Sequence, residues 1–183
     1  MRTAAVILDD FLSVDRWNYI TKTVSQSNFL ITDEFMEWRD SFYEEVMSFM
    51  IERMKQLDIW QDHWDSTIPL WSFINTLPPG IDRESSGNNG GYHSEFGGFV
   101  YYIHPTWNTS WGGHLKFKNC DVEKIEPKPN RFVWINPGVF HGIEVVNETA
   151  ENNRITIVGW PEGCIETSHA SQIINILIEE NIE

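Results

Sequence analysis

Histidine, glutamate, histidine and arginine stand in a fixed order in the second half of this chain. His93 and Glu95 fall in the run His93-Ser94-Glu95, His141 lies forty-eight residues on, and Arg154 thirteen further. Residues i and i+2 of a β-strand project to one face, so His93 and Glu95 can reach one metal from one strand. His141 can complete the set from "VFHGIEVV", a short β-rich run after the turn residues Asn136-Pro137-Gly138. Two imidazoles and one carboxylate on one side of an ion leave positions open. That facial arrangement suits a mononuclear non-heme Fe(II) that must hold substrate or O2.

Arg154 opens "RITIVGW", in which Arg154, Thr156, Val158 and Trp160 share one face and Ile155 and Ile157 the other. Neither face reads as a solvated surface. A guanidinium turned toward a protein interior is expensive unless an anion pairs with it, and its planar fork suits a carboxylate held by two N–H groups. The Thr156 hydroxyl, on the same face, can add one hydrogen bond. A metal site beside a pocket for an acidic co-substrate follows.

These residues need a β scaffold, and the chain divides accordingly into a helical part over about 1–66, a β core over about 67–162 and an extension over 163–183, read as one domain. "AAVIL" reads as a strand. "DDFLS" leads into a helix with Ser13 as N-cap and Val14, Trp17, Ile20 and Val24 on one face. A longer helix is expected after Thr32, with Phe35, Trp38, Phe42, Val46, Phe49, Met50 and Leu57 at helical spacing. Asp33 and Glu34 sit in its first turn and Arg53 and Lys55 near its end, as the helix dipole favours. That helix needs an apolar bed, which the Ile155 and Ile157 face of a sheet would supply. From residue 67 short runs alternate with turn signals: "TIPLWSFINTL", "GYHSE", "GFVYYIH", "GHLKFKN", "DVEKIEP", "RFVWINP", "HGIEVV" and "NRITIVGW". Strands at this density predict a mostly β sandwich or barrel with helices packed on one sheet. The tail "HASQIINILIEENIE" is ambiguous between helix and strand, and "RESSGNNGG" (83–91) is either a lid or an ordinary surface loop.

Composition narrows the function. Nine Trp and 41% hydrophobic residues in 183 exclude a disordered chain. Thirteen basic against 27 acidic residues, a formal charge of -14, argue against nucleic acid as a partner. The two cysteines, Cys120 and Cys164, make no disulfide framework and point to a reducing compartment. The opening "MRTAAVILDDF" is too short in apolar residues for a signal peptide, and no run approaches a membrane span, so the expectation is a cytoplasmic protein with no membrane contact.

Beyond these local readings, "FVYYIHPTWNTSWGGHLKF", "VEKIEPKPNRFVWINPGVFHGIEVV" and "RITIVGW" resemble the catalytic core of the 2-oxoglutarate and Fe(II)-dependent prolyl hydroxylases, and "VILDDFLS" resembles that family's beginning. The resemblance spans nearly the whole chain and is most specific over residues 92–160. It implies a double-stranded β-helix of the jelly-roll or cupin type, flanked by helices, with Fe(II) between two β-layers. Matched residue by residue, His93, Glu95 and His141 correspond to the metal triad, and Arg154 to the base that grips the distal carboxylate of 2-oxoglutarate. Tyr102 corresponds to the tyrosine that bonds the same carboxylate, with Tyr101 as the alternative, and Trp160 to an aromatic closing the site. The family's usual triad carboxylate is Asp. Glu95 is one methylene longer, which bears on ligand geometry and metal preference. The implied cofactors are Fe(II), 2-oxoglutarate and O2, with ascorbate as an accessory, and the implied reaction is hydroxylation of a prolyl or other amino-acid residue coupled to decarboxylation of 2-oxoglutarate to succinate. Peptides, proteins and small molecules are all substrates within such a family.

Bland readings stand beside these. Any single histidine is more often a core or surface residue than a ligand, and His63, His104, His114 and His169 are read that way. Tyr102 also fills a core well. Most tryptophans are core, although Trp107 and Trp111 sit where a substrate mouth is expected. Two other function classes remain open: a cupin-like metal protein without oxygenase chemistry, for which Arg154 beside Thr156 has no obvious purpose, and a non-enzymatic ligand-binding jelly roll, for which the triad is superfluous.

Overall fold

The computed structural model describes residues 4–26, 41–57, 70–81, 98–136 and 138–161. The "AAVIL" run forms β1 (Ala5–Leu8), and helix α1 (Val14–Gln26) follows directly after Ser13, whose carbonyl accepts from the Trp17 N–H. Ile20 and Val24 are buried and Trp17 packs beside them, but Val14 is 72% exposed and takes no part in the apolar face. As the first residue of the helix it has no preceding turn to pack beside it, and it stays in solvent. The second helix, α2, is Ser41–Gln56, ending on Arg53 and Lys55. The expected first turns of that helix, with Asp33, Glu34, Phe35 and Trp38, lie outside the described residues.

Each expected strand run in the described residues contains a strand: β2 (Leu70–Leu77), β3 (Gly98–Tyr102), β4 (Leu115–Phe117), β5 (Lys124–Ile125), β6 (Phe132–Ile135), β7 (His141–Ile143) and β8 (Arg154–Pro161). The "GYHSE" run and the tail fall outside them. Among the described residues all pairings are antiparallel, giving one sheet in the order β1-β6-β3-β8-β2 and a smaller one in the order β5-β4-β7. The chain is mostly β, with two α-helices among the described residues. No helix among them is long and apolar enough to cross a membrane.

Strand alternation divides the core in two. Ile74, Phe99, Tyr101, Phe132, Trp134, Ile155 and Ile157 of the large sheet face α1 and α2, meeting Ile20, Val24, Phe42, Val46, Met50 and Met54. The bed expected from Ile155 and Ile157 is thus the one α2 occupies. The alternate residues Val100, Tyr102, Val133 and Ile135 form a second cluster with Leu115, Phe117, Ile125 and Val139 of the small sheet and its turns. Whatever reaches Tyr102 and Arg154 must therefore lie on the face of the large sheet opposite the helices.

Asn130 ties the parts together. Its backbone is left-handed (φ 58), a conformation asparagine tolerates better than most side chains. Its side chain accepts from the Leu12 N–H at 3.0 Å and the Tyr101 hydroxyl at 2.8 Å, and donates to the Leu12 carbonyl at 3.0 Å. Its own N–H donates to the Tyr102 carbonyl, while the Tyr102 N–H donates to the Arg131 carbonyl. One buried residue so clasps the start of α1 to the end of β3. Nearby, the hydrogen bond from Arg131 holds the Asp9 carboxyl down to about 2, with burial opposing and Lys128 assisting.

Candidate active site

Arg154 is the first residue of β8 and only 1% exposed. Its Nε donates to the Gly113 carbonyl at 2.9 Å, and one terminal nitrogen donates to the Tyr102 hydroxyl at 3.3 Å while the guanidinium carbon lies 5.0 Å from that ring's centroid. Among the described residues no carboxylate pairs with it. A buried cation with only neutral partners is costly, because its desolvation goes largely uncompensated.

Tyr102 is wholly buried, and burial pushes its phenol above the ordinary range, opposed by Arg154. The phenol stays protonated at neutral pH, so while its oxygen accepts from Arg154 its proton remains a donor. Register sets it across from Thr156. Tyr101 points the other way, into the helix-facing cluster and onto Asn130. Of the two tyrosines, Tyr102 alone shares the Arg154 face. Thr156 is fully buried and its hydroxyl donates to the Asn75 carbonyl at 3.4 Å, a long bond. Trp160 lies on the same strand in register with Trp71.

His141 opens β7 opposite Phe117 and is buried. Its Nδ1 lies 2.9 Å from the Val139 carbonyl, which accepts only if that nitrogen carries the proton. In the neutral imidazole that proton placement leaves the lone pair on Nε2, the nitrogen a metal would take. Val139 and Ile143, on either side of His141, pack into the cluster that contains Tyr102. His93 and Glu95 lie outside the described residues, and among the described residues no group of three metal-binding side chains occurs.

The remaining described histidines have structural partners. Burial drives His104 down to about 4, against the pull of the Pro127 carbonyl 2.7 Å from Nε2, so it is neutral; its Nδ1 accepts from the Ile155 N–H at 3.4 Å. His114 lies 2.5 Å from Glu144, which also binds Lys124 at 2.7 Å. Burial raises the Glu144 carboxyl, and those two bonds outweigh it and hold it below its usual range.

Sequence reasoning missed the loop that backs Arg154. Gly112 and Gly113 both have φ near +70° (72 and 71), and a Cβ on Gly113 would stand 3.2 Å from Arg154 Cδ and 3.1 Å from the Trp107 ring. Trp107 donates from its indole to the Gly112 carbonyl at 3.2 Å. It packs with Trp111, Leu77 and Val146 in a third small cluster. The Gly-Gly pair was the available signal, because consecutive glycines before a strand mark a close backbone approach.

Residues 56–162 match the 2OG-Fe(II) oxygenase superfamily. The chain belongs to that superfamily, which implies Fe(II), 2-oxoglutarate and O2 as its reagents. Its fold is similar to that of a Pseudomonas putida prolyl-4-hydroxylase (TM-score 0.54, 14% identity, 87% of this chain and 92% of that one). It is also similar to a Trichoplax adhaerens prolyl hydroxylase in complex with a hypoxia inducible factor peptide fragment (TM-score 0.53, 17% identity, 87% and 83%). A third similar structure is NgTET1 in complex with 5mC DNA (TM-score 0.56, 14% identity, 94% and 80%). No curated protein matches the chain.

Proposed function

We propose that the protein is a 2-oxoglutarate- and Fe(II)-dependent hydroxylase of a prolyl or other amino-acid residue, built as a single domain whose two antiparallel sheets are the walls of a double-stranded β-helix. The observation that carries the reading is Arg154, a buried guanidinium without an acid partner among the described residues and with a tyrosine hydroxyl beside it. The residues fit the expected reagents. Arg154, Tyr102 and Thr156 would hold the distal carboxylate of 2-oxoglutarate, with Trp160 closing the same face. His141 would bind Fe(II) through Nε2, and His93 and Glu95 would complete the triad. When bound, Fe(II) would let O2 act as the oxidant of both partners, one oxygen atom entering succinate as 2-oxoglutarate loses CO2 and the other entering a substrate C–H bond as hydroxyl. The protein's part is to orient the diacid by its far end and to keep the space between the sheets dry.

The superfamily's shared fold serves both a peptide-bound prolyl hydroxylase and a DNA-bound enzyme. The charge of -14 favours a peptide or small molecule over nucleic acid here. The two cysteines favour a cytoplasmic setting.

Iron-loaded protein supplied with 2-oxoglutarate and air should form succinate, and Arg154→Gln should lose nearly all of that activity. Arg154→Lys should fall between, since it keeps the charge without the fork. Candidate peptides should gain one oxygen by mass spectrometry. Equal succinate formation by the wild type and Arg154→Gln would overturn the role given to Arg154, and no succinate from the iron-loaded wild type would sink the reading and leave the cupin-like alternative.

A further inference from the structure

We infer that Trp107 is a positioning residue for Arg154, acting through the Gly112–Gly113 backbone and braced by His104, and that it thereby sets the preference for a 2-oxo diacid over a 2-oxo monoacid; the inference rests on the role given to Arg154 above. The contacts close into a ring. Arg154 Nε donates to the Gly113 carbonyl, and the adjacent Gly112 carbonyl accepts from the Trp107 indole. The Trp107 ring lies 4.6 Å from the His104 ring, and His104 Nδ1 accepts from the N–H of Ile155, the residue bonded to Arg154. Trp107 and the Arg154 side chain flank Gly113 at 3.1 and 3.2 Å from the place a Cβ would take, so the ring is filled as well as hydrogen-bonded. Trp111 meets Trp107 edge-on at 5.4 Å and closes its outer side.

The circuit decides which edge of the guanidinium is offered. With Nε committed to Gly113, the side edge that includes Nε cannot fork around a carboxylate. The two terminal nitrogens, one already touching the Tyr102 hydroxyl, form the remaining fork. A carboxylate gripped there is held by its far end, and only a diacid has one. Loosening Trp107 frees the Gly112–Gly113 carbonyls to shift, which turns the fork without removing the charge. Displacements of about 1 Å in such supports are enough to weaken a site severely.

The test is equilibrium binding of 2-oxoglutarate and of pyruvate to the full chain carrying Mn(II) without oxygen, by calorimetry, so that the readout is affinity and not turnover. The wild type should prefer 2-oxoglutarate, and Arg154→Gln should abolish that preference. Trp107→Phe, which keeps an aromatic ring but loses the indole N–H, should cut the preference by about tenfold or more while pyruvate affinity stays within about twofold. An undiminished preference in folded Trp107→Phe overturns the positioning role and leaves the Arg154 reading intact. A wild type with no preference overturns both. Should Trp107→Phe not fold, hydrogen exchange in the wild type decides: the Gly112 and Gly113 amides should be protected further by 2-oxoglutarate but not by pyruvate, and equal protection by the two overturns the proposal.

Discussion

Arg154 sets stability against use, since the desolvation of a guanidinium 1% exposed is only partly offset by its neutral partners Gly113 and Tyr102 among the described residues. Replacing such a charge with an apolar side chain of similar length removes its desolvation cost, against the loss of its bond to the Gly113 carbonyl. Arg154→Met should therefore unfold at an equal or higher urea concentration than the wild type without ligand, yet show no stabilisation by 2-oxoglutarate. A large loss of stability would mean that Arg154 has a structural counter-ion. His104 predicts a pH dependence. Its folded pKa of about 4 lies below the ordinary imidazole value of 6.5, so the unfolded chain takes up the proton first. Its contribution is present above pH 6.5 and is lost as pH falls toward 4, by up to roughly 3 kcal/mol. Asp9, held at about 2, loses its contribution in a separate window below 3.8. His104→Gln, which can still donate to Pro127 and accept from Ile155, should flatten the upper window and spare the lower one in urea midpoints taken at successive pH values.

At the scale of elements, α2 and the loop before β4 position the site for different reasons. Helix α2 covers the large sheet with Met50 (0% exposed) near its middle. Met50→Ala should cost about 2–5 kcal/mol. Val14→Ala, at a position 72% exposed, should change stability by less than about 0.5 kcal/mol. Both are read by urea denaturation, and a comparable loss at Val14 would mean that α1 packs differently. The loop depends on backbone shape. At Gly112 φ is +72° and a Cβ would come 2.6 Å from the Val145 carbonyl oxygen, so neither conformation nor space admits a side chain. Gly112→Ala should destabilise by about 2 kcal/mol or more and weaken 2-oxoglutarate binding with it, because the Gly113 carbonyl that anchors Arg154 must move.

Across the whole molecule, charge governs which polymers can approach. With 27 acidic and 13 basic residues, of which Arg154 is buried, the surface has little with which to neutralise phosphates. The protein should not retard a methylated duplex in a gel shift at about 0.15 M salt. Salt-sensitive retardation would reveal a basic groove and move the substrate class toward nucleic acid.

Much of this architecture was local in origin and so legible in the sequence. The period of two fixes that Arg154, Thr156 and Val158 share a face opposite Ile155 and Ile157, and that Tyr101 and Tyr102 point apart. The strand runs, the helical spacing of Phe42, Val46 and Met50, and the order of the candidate ligands needed nothing beyond the chain itself. Val14 shows the limit, since periodicity assigns a face but not how far the covered surface extends. The partners of Arg154 were decided by tertiary structure: Gly113 is 41 residues away and Tyr102 is 52, brought together by sheet pairing. The same holds for Asn130, whose clasp spans 118 residues to Leu12, and for the brace of His104 and Trp107. Hydrogen bonds accepted by a carbonyl leave no periodic trace along the chain, because any residue type can supply a carbonyl and only the folded path determines which one arrives.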